Sequence, residues 1–273
     1  MINTCMGRPP GSIIGSIQAP VISPSPVYKP PETDLPRGVN YYADFSGCGH
    51  WRMIWPELLL NGYQKSMVHG STTMITDPRF YAGMKTVRVQ RQASPMQVDF
   101  MKFLKGTQDI HGFNIIYEID DVLFYEDIPK YNKFRSAFKS DEVQNSARTI
   151  MNEADEMTVT CQYMKDYYLS KTDNKNITII KNYMPRFWMD GFYDERKIGI
   201  RFDKNVKKRK RPRVLWAGSG AHLNTTTTNE PDDFDHIIDV VIKTKKKYQW
   251  VFFGAIPRAL EPLVRSGDIE FHK

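Results

Sequence analysis

The stretch Phe113-Asn-Ile-Ile-Tyr-Glu-Ile-Asp-Asp-Val-Leu-Phe124 constrains the fold more than any other. A run of β-branched and aromatic residues that ends among Glu118, Asp120 and Asp121 reads as a buried parallel strand delivering carboxylates to its C-terminal edge. Open α/β sheets keep their ligands at that edge. Paired acids after a strand also make turns and helix caps, so the neighbouring segments have to decide between the two readings.

Those segments alternate. Val39 to Phe45 reads as a strand, Ser46 to His50 as a glycine loop and Trp51 to Leu60 as a helix; strands follow at Met67–Thr76 and Lys85–Gln90. Ser94-Pro95 pairs an N-cap with proline at the first helical position, opening a helix to about Ile110 that carries Met96, Phe100, Phe103 and Leu104 on one face. Beyond the central strand, helical patterns at Lys130–Phe138 and Asp141–Ala154 lead to a strand at Glu156–Thr160, a helix at Gln162–Leu169 and a strand at Ile177–Lys181. Strands separated by helices imply a mostly parallel sheet with right-handed crossovers, that is, an α/β fold.

Two shifts in composition mark domain limits. Residues 1–37 are rich in proline, glycine, serine and threonine and read as a flexible arm; 38–190 form the first α/β domain. Residues 191–212 read as a basic linker, after which Arg213–Ala217, a loop at Gly218–His222, a helix at Asp232–Lys247, a strand at Trp250–Phe253, a helix at Arg258–Val264 and a strand at Ile269–Phe271 form a second unit over 213–273. Three strands are about half of a nucleotide-binding α/β domain, so the second unit reads as incomplete and the chain as C-terminally truncated.

Charge and cysteine usage narrow the function. Lys207, Lys208, Arg209, Lys210, Arg211 and Arg213 account for most of the formal net charge of +7, and about +1 is left without them. The three cysteines, Cys5, Cys48 and Cys161, have no CxxC spacing and read as free thiols, so neither a disulfide framework nor a zinc site is indicated. No apolar run approaches the roughly 20 residues of a membrane span, and no signal-peptide pattern opens the chain, which makes a cytoplasmic protein the expectation.

The segments "YYADFSGCGHWR", "VRVQRQ", "IIYEIDDVLF", "ADEMTVTCQYM", "ITIIKNYM" and "RVLWAGSGAH", in this order, resemble a phage and bacterial group of GT-B nucleotide-sugar glycosyltransferases. The resemblance covers about residues 39–271. It implies two Rossmann-like domains in the GT-B architecture, with the acceptor mainly on the first and the sugar nucleotide mainly on the second. It also implies a nucleotide-diphosphate sugar as co-substrate, a UDP-sugar foremost, no tightly bound cofactor and no metal. The later part of the second domain, where such enzymes place acidic residues that hold the ribose and sugar, has no counterpart in this sequence.

Glycosyl transfer needs a base for the acceptor hydroxyl and donors for the charge growing on the departing diphosphate. Asp120 and Asp121 are the candidates for base or acceptor orientation, since two close carboxylates raise the pKa of one. Gly218, Ser219 and Gly220 before a helix would offer backbone N–H groups to phosphate, with His222 and Arg258 beside them and Gly47 and Gly49 as a matching loop. His50, Arg52 and Arg91 are assigned to the acceptor side. Each has a plainer reading as a tight turn, a satisfied structural histidine or a surface arginine. Asn182 reads as a turn residue leading into the linker. Acceptors open to such an enzyme are a glycan or hydroxymethylated bases in DNA, whose phosphates the basic run could track, in the host cytoplasm if the gene is a phage's. Two other readings compete: a non-catalytic nucleic-acid binder using residues 207–213, and an inactive truncated remnant.

Overall fold

A computed structural model describes residues 37–45, 47–63, 66–183, 211–218, 222–223 and 232–272. Most of the proline-rich arm, most of the basic linker, Ser219 and Gly220 lie outside the described residues.

Six parallel strands form the first sheet: β1 (Arg37–Tyr41), β2 (Met67–Ser71), β3 (Thr86–Gln90), β4 (Asn114–Glu118), β5 (Glu156–Val159) and β6 (Ile177–Ile179). Their order is β2-β1-β3-β4-β5-β6. The connections are helical: α1 (Gly47–Gly49), one π-helical turn (His50–Ile54) and α2 (Trp55–Tyr63) after β1, then α3 (Pro95–His111), α4 (Asp141–Glu153) and α5 (Gln162–Lys171). A second sheet, also parallel, has the order β7 (Arg213–Gly218), β8 (Gln249–Gly254) and β9 (Glu270–His272), with α6 (Asp235–Thr244) and the short α7 (Glu261–Arg265) between its strands. The α/β class expected from the alternating pattern is what the structure shows, as two parallel sheets of unequal size.

Register explains how the first sheet buries itself. Val39, Val87 and Ile115 align in one row, and Tyr41, Val89, Tyr117, Met157 and Ile177 in the next. With period 2, all eight project to one face, where Phe100, Met101 and Leu104 of α3 and Ile150 and Met151 of α4 join the same buried cluster. Each such side chain contributes about 1.5–3 kcal/mol by leaving water. The opposite face differs. There Arg88 lies between Asn40 and Ile116, while Gln90, Glu118 and Thr158 align at the C-terminal edge, so this side holds polar groups that must find partners indoors.

Local chemistry follows the expected cues at α3. Ser94 caps it and exchanges a capping box with Gln97, Pro95 sits in the first turn, and Gly112 (φ 70°) ends it in the left-handed region. Several expectations change. The strand expected over Val39–Phe45 runs from Arg37 to Tyr41, which takes Arg37 out of the arm. The helix expected over Lys130–Phe138 is reduced to a 3-10 turn, Arg135–Phe138, because Asn132 Oδ1 accepts from the Phe134 N–H and Arg135 lies over the Tyr125 ring. The expected strand Met67–Thr76 stops at Ser71, whose hydroxyl accepts from the Thr73 N–H. Gly47 to Gly49 form no loop: they are the first helical turn after β1, and a Cβ at Gly49 would stand 1.9 Å from the Asp44 carbonyl oxygen.

Candidate active site

Strand order locates the site before any side chain does. From β1 the chain passes to β2 on one side and then returns to β3 on the other, so the two connections diverge between β1 and β3. Such a switch point opens a crevice at the carboxyl ends of the strands. The segments that end there are Tyr42–Phe45 with α1 after β1, Arg91 and Gln92 after β3, and Ile119–Asp121 after β4.

Beneath the crevice floor lies a buried ionic cluster, in which Arg52 Nη2 and Arg88 Nε are left without a hydrogen-bond partner. Glu118, with no exposed surface, accepts from Arg52 Nε at 2.5 Å, from Arg88 Nη2 and from the Thr158 hydroxyl. Arg52, 2% exposed, also donates from Nη1 to Asn182 Oδ1 at 2.9 Å and to the Ile180 carbonyl. The acceptor-side assignment of Arg52 therefore meets a side chain that is buried and ties the helix after β1 to the ends of β4 and β6. Asn182, read as a turn residue, is a member of the same tie. Gln90 adds a second one: its Oε1 accepts from Ala43 N at 3.1 Å and its Nε2 donates to the Cys48 carbonyl at 3.2 Å.

Above that floor, Asp44, Cys48, Arg91, Asp120 and Asp121 gather. Arg91 Nη1 donates to Asp121 Oδ2 at 2.9 Å and Nη2 to Asp44 Oδ2, while Asp44 Oδ1 accepts from the Gly49 N–H at 3.3 Å. The Cys48 thiol donates to Asp121 Oδ2 at 3.7 Å. Asp121 is exposed, but the Tyr168 hydroxyl fixes its backbone by donating to its carbonyl at 2.6 Å. Asp120 is half-buried, and its Oδ1 is sealed without a hydrogen-bond partner. Burial and then the adjacent Asp121 charge push the Asp120 carboxyl above its ordinary pKa, against the opposing pull of Cys48 and Arg91. Burial and the same two carboxylates push the Cys48 thiol well up, so it is a neutral donor at physiological pH. Burial alone would lower Arg91, but the carboxylates of Asp120, Asp121 and Asp44 pull the other way and the guanidinium's pKa is raised.

The Cys48 sulfur and the Asp120 and Asp121 oxygens lie within 4.8 Å of one another, close enough to share a cation. Arg91 already supplies a positive charge at that point. Asp44 and Cys48 escape sequence reasoning because one sits in an apparent strand and the other looks like an idle thiol; only the folded register brings both to Arg91. His50 opens the π-helical turn, its ring 6.2 Å from that of Trp55.

In the second unit Gly218 ends β7 opposite Gly254, which adopts φ 86°. A Cβ at Gly254 would stand 2.6 Å from the Gly218 carbonyl oxygen, so glycine is needed where these two strands approach. His222 is exposed, with Nδ1 2.9 Å from Asp233 Oδ2, and Asp233 Oδ1 accepts from the Tyr131 hydroxyl of the first unit. Burial pushes Asp233 up, but Tyr131 and His222 hold its carboxyl below the ordinary value. Arg258 is exposed in a 3-10 turn (Arg258–Leu260). Of the basic run, Arg211 bonds the Lys245 carbonyl and the Gln249 side chain, and Arg213 pairs with Glu270.

No protein-family model matches the sequence. A search of curated proteins finds no match either. Among solved structures, the crystal structure of Arabidopsis thaliana UGT89C1 complexed with UDP is similar to this chain at a TM-score of 0.33 and 7% identity, over 69% of this chain and 43% of that one. The chain spans less than half the length of this neighbour. At that level of likeness, nothing about ligand or residue roles passes from that protein to this one.

Proposed function

We propose that this chain belongs to a glycosyltransferase of GT-B type, moving a sugar from a nucleotide-diphosphate sugar, a UDP-sugar foremost, to an acceptor hydroxyl. The observation that carries the reading is the convergence of Asp44, Cys48, Arg91, Asp120 and Asp121 on the topological switch point. A carboxylate with a raised pKa beside a fixed guanidinium is suited to taking a proton from a hydroxyl as it attacks. Gly218, His222 and Arg258 remain the donor-side candidates of the second unit, with Ser219 and Gly220 outside the described residues. Gly47 and Gly49, in the first helical turn after β1, remain phosphate-side candidates, and His50 and Arg91 acceptor-side ones. Among the described residues no helix is long and apolar enough to cross a membrane.

The test uses the full chain. Calorimetric titration with UDP and UDP-glucose should show saturable binding, and a panel of glycans and hydroxymethylated DNA should show release of UDP with one acceptor class. Asp120→Asn should keep UDP binding and lose transfer. Absence of any UDP or UDP-sugar binding would refute the reading. Loss of transfer as salt rises would mark DNA as the acceptor, whereas salt-insensitive transfer would mark a glycan.

A further inference from the structure

We propose that Arg91 is a positioning residue that makes the two adjacent aspartates unequal: by tying Asp121 to Asp44 it withdraws Asp121 from the reaction and leaves Asp120 as the carboxylate that receives the acceptor's proton. The inference rests on the transferase reading and names the division of labour within its site.

The geometry is specific. Arg91 is the non-glycine residue with positive φ among the described residues, at 44°, directly after β3. A left-handed arginine carries a backbone cost that surrounding structure must hold in place, and such outliers gather at functional sites. Here the Arg91 N–H donates to the Glu118 carbonyl at 3.0 Å, so the distorted residue stays attached to β4, the strand that bears the acids. That turn sends the guanidinium back across the switch point, where its two nitrogens divide between Asp121 and Asp44. Asp44 in turn accepts from Gly49, which links the clamp to the first turn of α1. Asp121 is thereby spoken for by Arg91, by the Cys48 thiol and, through its carbonyl, by Tyr168. Asp120 makes no ion pair among those observed: its Oδ1 is sealed without a partner, and the neutral Cys48 thiol, which lies against both acids, is the group it shares with Asp121.

The charged and titratable groups facing Asp120 are Asp121 and Glu118 from its own segment, Cys48 from α1 and Arg91 from the end of β3. The step balances simply. The acceptor O–H bond breaks as its oxygen bonds the sugar's anomeric carbon, the proton passes to Asp120 Oδ2, and the nucleotide diphosphate leaves with the electron pair of the broken glycosidic bond.

The experiment follows the side-chain carboxyl carbon of Asp120 by NMR as pH is varied, in the full chain without substrate, and measures UDP-glucose hydrolysis with water as the acceptor. Arg91→Met should move the Asp120 titration to higher pH, because a positive charge is lost; Arg91→Lys should restore it part of the way. Asp121→Asn should move it to lower pH and slow hydrolysis far less than Asp120→Asn, which should abolish hydrolysis with UDP binding unchanged. An Asp120 titration that ignores both Arg91→Met and Asp121→Asn overturns the inference, as does a hydrolysis rate lost equally in Asp121→Asn and Asp120→Asn. Should Arg91→Met fail to fold, Arg91→Lys, which keeps the charge but not the two-nitrogen fork, and Asp121→Asn decide together. Titration shifts of the expected sign in a chain that binds neither UDP nor UDP-glucose would remove the transferase reading while the clamp stands.

Discussion

Replacing Glu118 with leucine would keep its volume roughly and remove the single carboxylate that serves Arg52 and Arg88. Arg52 is 2% exposed and Arg88 15% exposed at the side chain, so water cannot take over the role of Glu118. Removing one partner of a buried ionic cluster leaves charge without compensation and costs about 3–5 kcal/mol. For a unit the size of residues 37–183 each kcal/mol lowers Tm by about 2–4 °C, so a fall of roughly 6–20 °C is expected. Scanning calorimetry and urea unfolding of the full chain measure it. A second variant separates the charge argument from simple disturbance of packing: Arg52→Met, Arg88→Met and Glu118→Leu together remove all three charges, and stability should return to near the wild-type value or exceed it. A loss below about 1 kcal/mol in Glu118→Leu, or a triple variant no more stable than the single one, would refute the reasoning that Glu118 is the counter-charge shared by Arg52 and Arg88.

Other outcomes test the crevice itself. Asp120 has a folded pKa above its ordinary value, so its ionised form costs stability; the native state is relieved of that cost below the unfolded pKa and bears it fully once pH exceeds the folded one. Asp120→Asn should therefore gain stability relative to wild type as pH rises from about 3 towards neutrality, and a pH-independent difference in urea unfolding would contradict this. Cys48, held protonated by burial and two carboxylates, should resist iodoacetamide at neutral pH after exposed Cys161 has reacted, read by mass spectrometry in a Cys5→Ser background; equal rates would mean the thiol does not lie against the acids. Gly49→Ala places a methyl group 1.9 Å from the Asp44 carbonyl oxygen and should destabilise by about 1–3 kcal/mol or more, whereas Gly47→Ala, with open space around it, should be close to neutral by thermal melting.

The apolar half of this protein was legible in the sequence because it obeys one period. Val87, Val89, Ile115 and Tyr117 project to a single face, and that alternation, read with the helices between, is enough to predict a parallel sheet and to put Asp120 and Asp121 at its C-terminal edge. The polar half follows no period. Glu118 looks like the first of three acids leaving the strand, yet its side chain falls on the face opposite Tyr117 and is buried against Arg52, 66 residues away in sequence. Arg52, read from its place after Gly47 and Gly49 as an acceptor-side group, is drawn inside by that carboxylate and by Ile180 and Asn182, 128 and 130 residues distant. Pairings at such separations exist only once strand order is fixed, and strand order is where local signals are silent: nothing between β1 and β3 announces that β2 lies on the far side of β1. The same topological step makes Arg91 turn left-handed to reach Asp44 and Asp121. A sequence can thus name the acids that end a strand while leaving unsaid which of them is structural and which is free to react, because the deciding cations arrive from elements whose positions the local pattern does not set.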